Sequence, residues 1–377
     1  MLRAVGQPSS SFATVIGELT AQRVPFYDRH SKILLTDKID MGCTGYLAII
    51  STALPEDKFF LPNMVGGICS TAIPLFKHGD IVSVDGAGEV LILWEKDSQQ
   101  NSLMLTEACN CRCVMCPQPP KKHDPALFDV ATRILDLLKG KPVANICITG
   151  GEPTILADNF LKILHRCHAE HPKAQVNILT NAKKFSDSAF SREVARLPQG
   201  NDIFCVSLHS DIPAIHDDIV GVQGSYDATQ AGIYNLAKHR IPVEIRHVVT
   251  KQNHKRLPEF AEHMYRYFPF CVHYALMSME ICGIANDNIN SIYIDPSYYK
   301  SELRNATLAL HKRGLRVSVY NTPLCLCHED IRKFSRRSIS SWKNTFVNEC
   351  FVCRERDECC GFFSTSSVQS SHISPIL

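Results

Sequence analysis

The stretch Thr106-Glu-Ala-Cys109-Asn-Cys111-Arg-Cys113-Val-Met-Cys116-Pro117 carries the densest chemistry in the chain. Cys109, Cys113 and Cys116 stand in the spacing CxxxCxxC, and thiolates are the usual ligands of iron–sulfur clusters. Three thiolates on one short loop can hold three irons of a four-iron cluster. The fourth iron is then open to a small molecule that receives an electron. A structural site is more often closed by a fourth protein ligand, as in zinc sites. A zinc loop and inert thiols are the competing readings of this loop taken alone. Cys111 is read as a non-ligand, because using it would break the three-residue gap.

A second group lies near the C-terminus: Cys325, then Cys350-Phe-Val-Cys353, then Cys359-Cys360-Gly361. One distant cysteine, a CxxC pair and a further cysteine can complete a four-thiolate site. Cys325, Cys350, Cys353 and Cys359 are the chosen ligands. Cys327 is the reserve for Cys325, and the choice between Cys359 and Cys360 stays open. Zinc favours four thiolates at similar spacing, so spacing alone does not select iron.

These groups need a scaffold. Residues 1 to 98 read as a β-rich accessory domain, with strands at Lys32–Thr36, Tyr46–Ile50, Asp80–Val84 and Glu89–Trp94. The last two flank Asp85-Gly-Ala-Gly88, a hairpin pattern. Cys43 and Cys69 read as buried thiols. After the cysteine loop, apolar strands alternate with amphipathic helices as far as Cys271–Leu276. With the strand before the cysteines that makes six βα units. Such alternation implies a parallel sheet with helices outside, closed into a partial barrel or left as an open doubly wound sheet. In either, active groups sit at the C-terminal ends of the strands. The cysteine loop follows the first strand. The second strand ends in Gly150-Gly151-Glu152-Pro153, where glycines allow close backbone approach and Glu152 offers a carboxylate to an ammonium group. The last residues, 364–377, are Ser-rich and are expected to be disordered.

CxxxCxxC followed by GGEP after the next strand resembles the signature of the radical S-adenosylmethionine (SAM) enzymes. Asn181 after strand three, Ser207 at the end of strand four and Arg246 on strand five resemble family positions lining the SAM pocket. The segment His216–Tyr226 resembles the family's loop and helix after strand four. The resemblance implies an α/β fold, a partial (β/α)6 TIM-like barrel over residues 99–285. It implies a [4Fe–4S] cluster on Cys109, Cys113 and Cys116, with SAM bound at its open iron. Gly150, Gly151, Glu152 and Pro153 would meet the methionine amino group, Met115 the adenine, and Ser207 and Arg246 the ribose or carboxylate. Residues 286–363 then look like an auxiliary [4Fe–4S] cluster domain. The phrases Asn101–Glu107, Cys116-Pro-Gln-Pro-Pro-Lys121 and Pro323–Cys325 … Cys350–Phe363 also resemble one subfamily, the His-Xaa-Ser system radical SAM maturases (HxsC). That resemblance implies reductive cleavage of SAM to a 5′-deoxyadenosyl radical, used to modify a ribosomally made peptide or protein with His-Xaa-Ser repeats. A precursor substrate, a second radical SAM protein and an electron donor are the implied partners. Cys111, Cys327 and Cys360 depart from the subfamily pattern. Action on a small molecule or nucleotide, and a non-enzymatic iron–sulfur or zinc protein, are the rival classes.

Composition narrows the field. A formal net charge of +2 gives no bulk electrostatic reason to expect nucleic acid. No run approaches the ~20 apolar residues of a membrane span, and Met1–Pro8 lacks the apolar stretch of a signal peptide. Seventeen cysteines in such a chain read as metal ligands, catalytic groups or reduced thiols. The expected location is the cytoplasm.

Overall fold

The computed structural model describes residues 3–54, 63–198 and 200–377. The chain forms two compact units. One comprises Met1–Leu103 with Ala126–Ile146, and the other Met104–Pro125 with Cys147–Leu377.

The first unit is built on β1 (Arg3–Val5), β2 (Gln7–Pro8), β3 (Val15–Thr20), β4 (Lys32–Leu35), β5 (Ala48–Ile50), β6 (Met64–Gly66), β7 (Ile81–Val84) and β8 (Glu89–Trp94). Among the described residues their order is β1-β8-β7-β3-β4-β5-β6-β2. β1 and β2 stand at opposite ends of that order, yet only Gly6 separates them in the chain. The sheet therefore closes on itself, which removes its free edges. Gly6 is required there, because a Cβ would stand 2.4 Å from the Gly66 carbonyl oxygen. Leu19, Ile33, Ile50, Val65, Val82 and Val90 fill the interior. The hairpin expected around Asp85–Gly88 is present as the antiparallel pair β7–β8. Cys43 is buried, but Cys69 is exposed.

Helix α1 (Pro125–Leu138) groups with this unit rather than with the parallel sheet that follows it in sequence. Polar ties explain why: Arg133 Nε donates to the Ile16 carbonyl at 3.2 Å, and Lys141 Nζ meets Glu18 Oε2 at 2.7 Å.

The parallel sheet takes its strands in chain order. They are β9 (Ser102–Met104), β10 (Asn145–Thr149), β11 (Gln175–Thr180), β12 (Asn201–Ser207), β13 (Val243–Val248), β14 (His273–Met277), β15 (Val317–Tyr320) and β16 (Ser335–Arg336). Neighbours from β11 to β16 pair in parallel. Helices α2 (Asp158–Glu170), α3 (Ser188–Arg196), α4 (Pro213–Val220), α5 (Ser225–Lys238) and α6 (Leu257–Tyr267) fill the connections from β10 to β14. Two short helices, α7 (Ile284–Asp287) and α8 (Ile289–Ile292), and then α9 (Lys300–Lys312) lead to β15. Alternation along the strands sorts the residues. Val176, Ile178 and Thr180 of β11 are buried, while the residues between them are half-exposed. Beyond β16, the pair β17 (Asn344–Thr345) and β18 (Phe362–Phe363) is antiparallel.

For residues 364–377, expected to be disordered, the structure gives defined contacts. The segment has no regular secondary structure, but its serines are tied down. Ser367 N donates to the Ile281 carbonyl at 3.0 Å, and Ser370 Oγ donates to Asp295 at 3.0 Å. Hydroxyl-to-backbone and hydroxyl-to-carboxylate bonds supply what an apolar face supplies elsewhere. Among the described residues, no helix is long and apolar enough to cross a membrane.

Candidate active site

Three neighbours clamp the cysteine loop. From β10, Gly151 N donates to the Thr106 carbonyl at 2.7 Å and Glu152 N to the Ala108 carbonyl at 2.9 Å. A Cβ on Gly150 would stand 2.5 Å from the Thr106 oxygen, and one on Gly151 2.3 Å from the Ala108 oxygen. The glycines thus let two backbones touch, which brings the carboxylate of Glu152 beside the thiols. From the end of α4, Arg112 N donates to the Val220 carbonyl and Val114 N to the Ile219 carbonyl, both at 2.9 Å. From the segment after β14, Ile284 N donates to the Cys116 carbonyl at 2.9 Å and Asn288 Nδ2 to the Val114 carbonyl at 3.0 Å.

The clamped loop turns Cys109, Cys113 and Cys116 into one cavity of about 350 Å³, within the range of about 300–1,000 Å³ usual for small-molecule sites. Met115, Gly150, Gly151, Glu152, Asn181 and Ser207 line the same cavity. The thiols crowd one another. Burial, with the neighbouring Cys116 and Cys109, pushes Cys113 up to about 12. The adjacent Cys111 thiol and burial raise Cys109, and burial raises Cys116. Crowded thiols of this kind ionise when cationic metal is present to compensate them. Among the described residues, no three His, Cys, Asp or Glu side chains gather around a single metal ion. Three thiols ranged around one cavity suit the corners of a cluster. The donor set therefore fits the [4Fe–4S] group.

Glu152 is fully buried. Its Oε1 accepts from Thr154 N at 3.1 Å, Thr154 Oγ1 at 2.6 Å and Thr180 Oγ1 at 2.7 Å, while Oε2 accepts from Asn181 N at 2.6 Å. Burial raises its pKa, and these four donors oppose the shift. Oε2, with one partner, is the oxygen with capacity left for a ligand. Asn181 Nδ2 donates to Asn110 Oδ1 at 2.6 Å, tying the end of β11 to the cysteine loop. Met115 packs on Ile219, Ala285 and Ile292.

Two expected residues stand elsewhere. Pro153 is buried in the short turn after Glu152, outside the cavity lining. Arg246 is absent from that lining among the described residues. Its Nε instead meets Glu244 Oε1 at 2.7 Å, and Glu244 Oε2 meets His273 Nδ1 at 2.8 Å. Burial alone would raise the Glu244 carboxyl, but His273 and Arg246 hold it down at about 2.

Sequence reasoning passed over Lys183 and gave His209 and His216 no role of their own; all three line the cavity. Lys183 Nζ lies 3.3 Å from the Asn110 carbonyl and 3.8 Å from Cys111 Sγ. It is the one Lys or Arg among the described lining residues. Its position two residues past Asn181 was the available signal. His216 Nδ1 accepts from His209 N at 3.1 Å, and burial pushes His216 down to about 4. Both rings are therefore neutral near pH 7. Cys111 is buried beside Cys109 and lines the cavity too.

A second, separate group of thiols brings Cys325, Cys350, Cys353 and Cys359 around one small cavity. Cys359 Sγ accepts from Leu324 N at 3.4 Å and Gly361 N at 3.5 Å. Hydrogen bonding from Cys360, with these amides, holds Cys359 down at about 6 against its burial. Cys327 and Cys360 are buried and lie outside the lining. The consecutive residues of β18 divide between the sites. Phe362 lines the second thiol cavity and Phe363 the first, as neighbours in a strand point to opposite faces.

The family model for the radical SAM superfamily matches residues 103–264. These residues form a radical SAM domain. The cysteine loop, the Gly150–Glu152 turn and the ends of β11 to β13 all fall inside it. Mycofactocin maturase MftC of Mycobacterium tuberculosis (strain CDC 1551 / Oshkosh) is 33% identical over 170 residues, covering 43% of this chain and 41% of that protein. A probable GTP 3′,8-cyclase of Sulfolobus acidocaldarius is 25% identical over 177 residues, 45% of this chain and 52% of that one. The chain thus spans about half or less of the length of these curated relatives. Native anSMEcpe with bound AdoMet and Cp18Cys peptide shares the fold, with a TM-score of 0.51 at 14% identity over 72% of this chain and 91% of that chain. The radical SAM family implies a [4Fe–4S] cluster and SAM for the first cavity.

Proposed function

We propose that this chain is a radical SAM peptide maturase of the His-Xaa-Ser type. It would modify a ribosomally synthesised precursor peptide or protein in the cytoplasm, beside a second radical SAM protein and supplied by an electron donor. The observation that carries the reading is the convergence of Cys109, Cys113, Cys116 and Glu152 on one ligand-sized cavity. The likeness to a maturase supports the peptide class.

Cys109, Cys113 and Cys116 would hold the cluster, leaving one iron to SAM. With both bound, the chemistry supplied is one-electron cleavage of the sulfonium to methionine and a 5′-deoxyadenosyl radical that takes a hydrogen atom from the substrate. The chain's residues bind and shield. Glu152 Oε2 accepts from the methionine ammonium, in a bond to a charged group worth ~1.5–3 kcal/mol. Lys183 offers the opposite charge to the carboxylate, a role the position of Arg246 does not suit. Met115 gives an apolar wall to the adenine, and Asn181 and Ser207 give polar contacts to the rest. The strands from β9 to β14 are read as a partial (β/α)6 barrel that holds these groups at its C-terminal rim. Cys325, Cys350, Cys353 and Cys359 would hold an auxiliary [4Fe–4S] cluster.

Mass spectrometry of a candidate His-Xaa-Ser peptide co-expressed with this protein and its partner tests the reading. A mass change that depends on Cys113 supports it. An unchanged peptide, alongside a converted nucleoside pool, would favour action on a nucleotide. The likeness to a probable GTP cyclase keeps that second reading.

A further inference from the structure

The C-terminal tail runs between the two thiol groups. It starts beside the first, where Ser366 Oγ accepts from Ile281 N at 2.9 Å and Ser367 Oγ donates to Asn286 Oδ1 at 2.6 Å. It crosses Asp295 through Ser370. It ends over the second, where Ile376 N donates to Cys353 Sγ at 3.4 Å and the Ile376 carbonyl accepts from Arg354 N at 3.0 Å. Ser374 lines the second cavity together with Cys325. Ile373, Pro375 and Ile376 line the second cavity from the tail side.

We propose that residues 373–376 are part of the second thiol site, a strap whose Ile376 amide binds the sulfur of Cys353 and whose apolar side chains keep water from the thiols. The proposal rests on the reading of that site as an iron–sulfur centre. The reduction potential of such a centre is set in part by hydrogen bonds to its sulfurs and by its solvent exposure. An N–H pointed at a sulfur stabilises the more negative, reduced state. Losing one therefore lowers the potential. Losing the whole strap also opens the site to water and to chelators.

The test uses the full chain carrying Cys109, Cys113 and Cys116→Ala, so that only the second site is observed. Three changes are made in that parent: Ile376→Pro, which removes the amide hydrogen after a residue that is already proline; Ile376→Val, which keeps it; and a chain ending at His372. Iron content, midpoint potential by spectroscopic titration and the rate of iron loss to a chelator are measured. The expected result is a lower potential for Ile376→Pro and the parent value for Ile376→Val. The shortened chain should lose iron roughly fivefold faster or more, the scale of losing net hydrogen bonds of ordinary strength. Equal potentials and equal loss rates in all four proteins, with iron present, would overturn the strap alone. A parent that holds zinc or no iron would overturn the cluster reading and the strap with it.

Discussion

The two thiol groups are built by opposite means. The first presents three cysteines from one loop, held by the ends of strands and by a helix terminus, and it faces a cavity of about 350 Å³. The second gathers the distant Cys325 with three cysteines of residues 350–359, and backbone amides of Leu324, Gly361 and Ile376 point at its sulfurs. Room beside an incomplete ligand set suits binding and cleavage of a small molecule. A complete set wrapped in amides suits holding an electron. On the proposed assignment, cavity and ligand count, rather than cysteine number, would separate the two roles.

Metal content should break the comparison most sharply. The Cys109, Cys113 and Cys116→Ala protein is expected to keep about four irons, the content of one [4Fe–4S] centre. Adding Cys350 and Cys353→Ala should remove them. One zinc and no iron in the first variant would make the second site a structural zinc fold.

The first site also depends on a close backbone contact. Gly151→Ala places a methyl 2.3 Å from the Ala108 oxygen, so the loop must shift. A stability loss of ~1–3 kcal/mol is expected, the usual cost of overpacking, together with weaker SAM binding. Thermal unfolding and calorimetry would check both, and wild-type values in each would show that the loop is not clamped there.

Glu152→Gln keeps the shape of the side chain and its acceptor oxygen but removes the charge. It is expected to retain the cluster and to weaken SAM roughly tenfold. Glu152→Ala removes the anchor for Thr154, Thr180 and Asn181 as well, so its stability should fall too. Unchanged SAM affinity in the Gln variant would leave Glu152 a purely structural hub.

The smallest expected effect separates two cations. Lys183→Met should weaken SAM several-fold and leave its decarboxylated analogue unaffected. Arg246→Met should lower stability, because Glu244 loses one of its two partners, while SAM affinity stays the same. The reverse pattern would return Arg246 to the cavity.

Much of the site could be read before any coordinates. CxxxCxxC and Gly150-Gly151-Glu152 are local patterns, and each follows an apolar strand whose end fixes its place. Arg246 shows the limit. Glu244, Arg246 and Val248 share one face of β13 by alternation, and Val248 lines the cavity. Arg246 lies one rung deeper, and no pattern in the sequence gives depth along a strand. Closure of the N-terminal sheet was hidden for another reason. It needs Gly6 to pass between β1 on β8 and β2 on β6, pairings between segments far apart in the chain. Serine-rich composition reads as unable to pack, whereas the tail's hydroxyls and amides find carboxylate, carbonyl and sulfur.

The most direct measurement is 5′-deoxyadenosine formation by the anaerobically reconstituted protein, given SAM and a reductant, beside the Cys109, Cys113 and Cys116→Ala protein. The expected result is steady formation by the first and none by the second, although the second still holds its other iron. Undiminished formation by the triple variant, or none by either with the first cluster demonstrably loaded, would contradict the assignment of the first cavity to SAM cleavage.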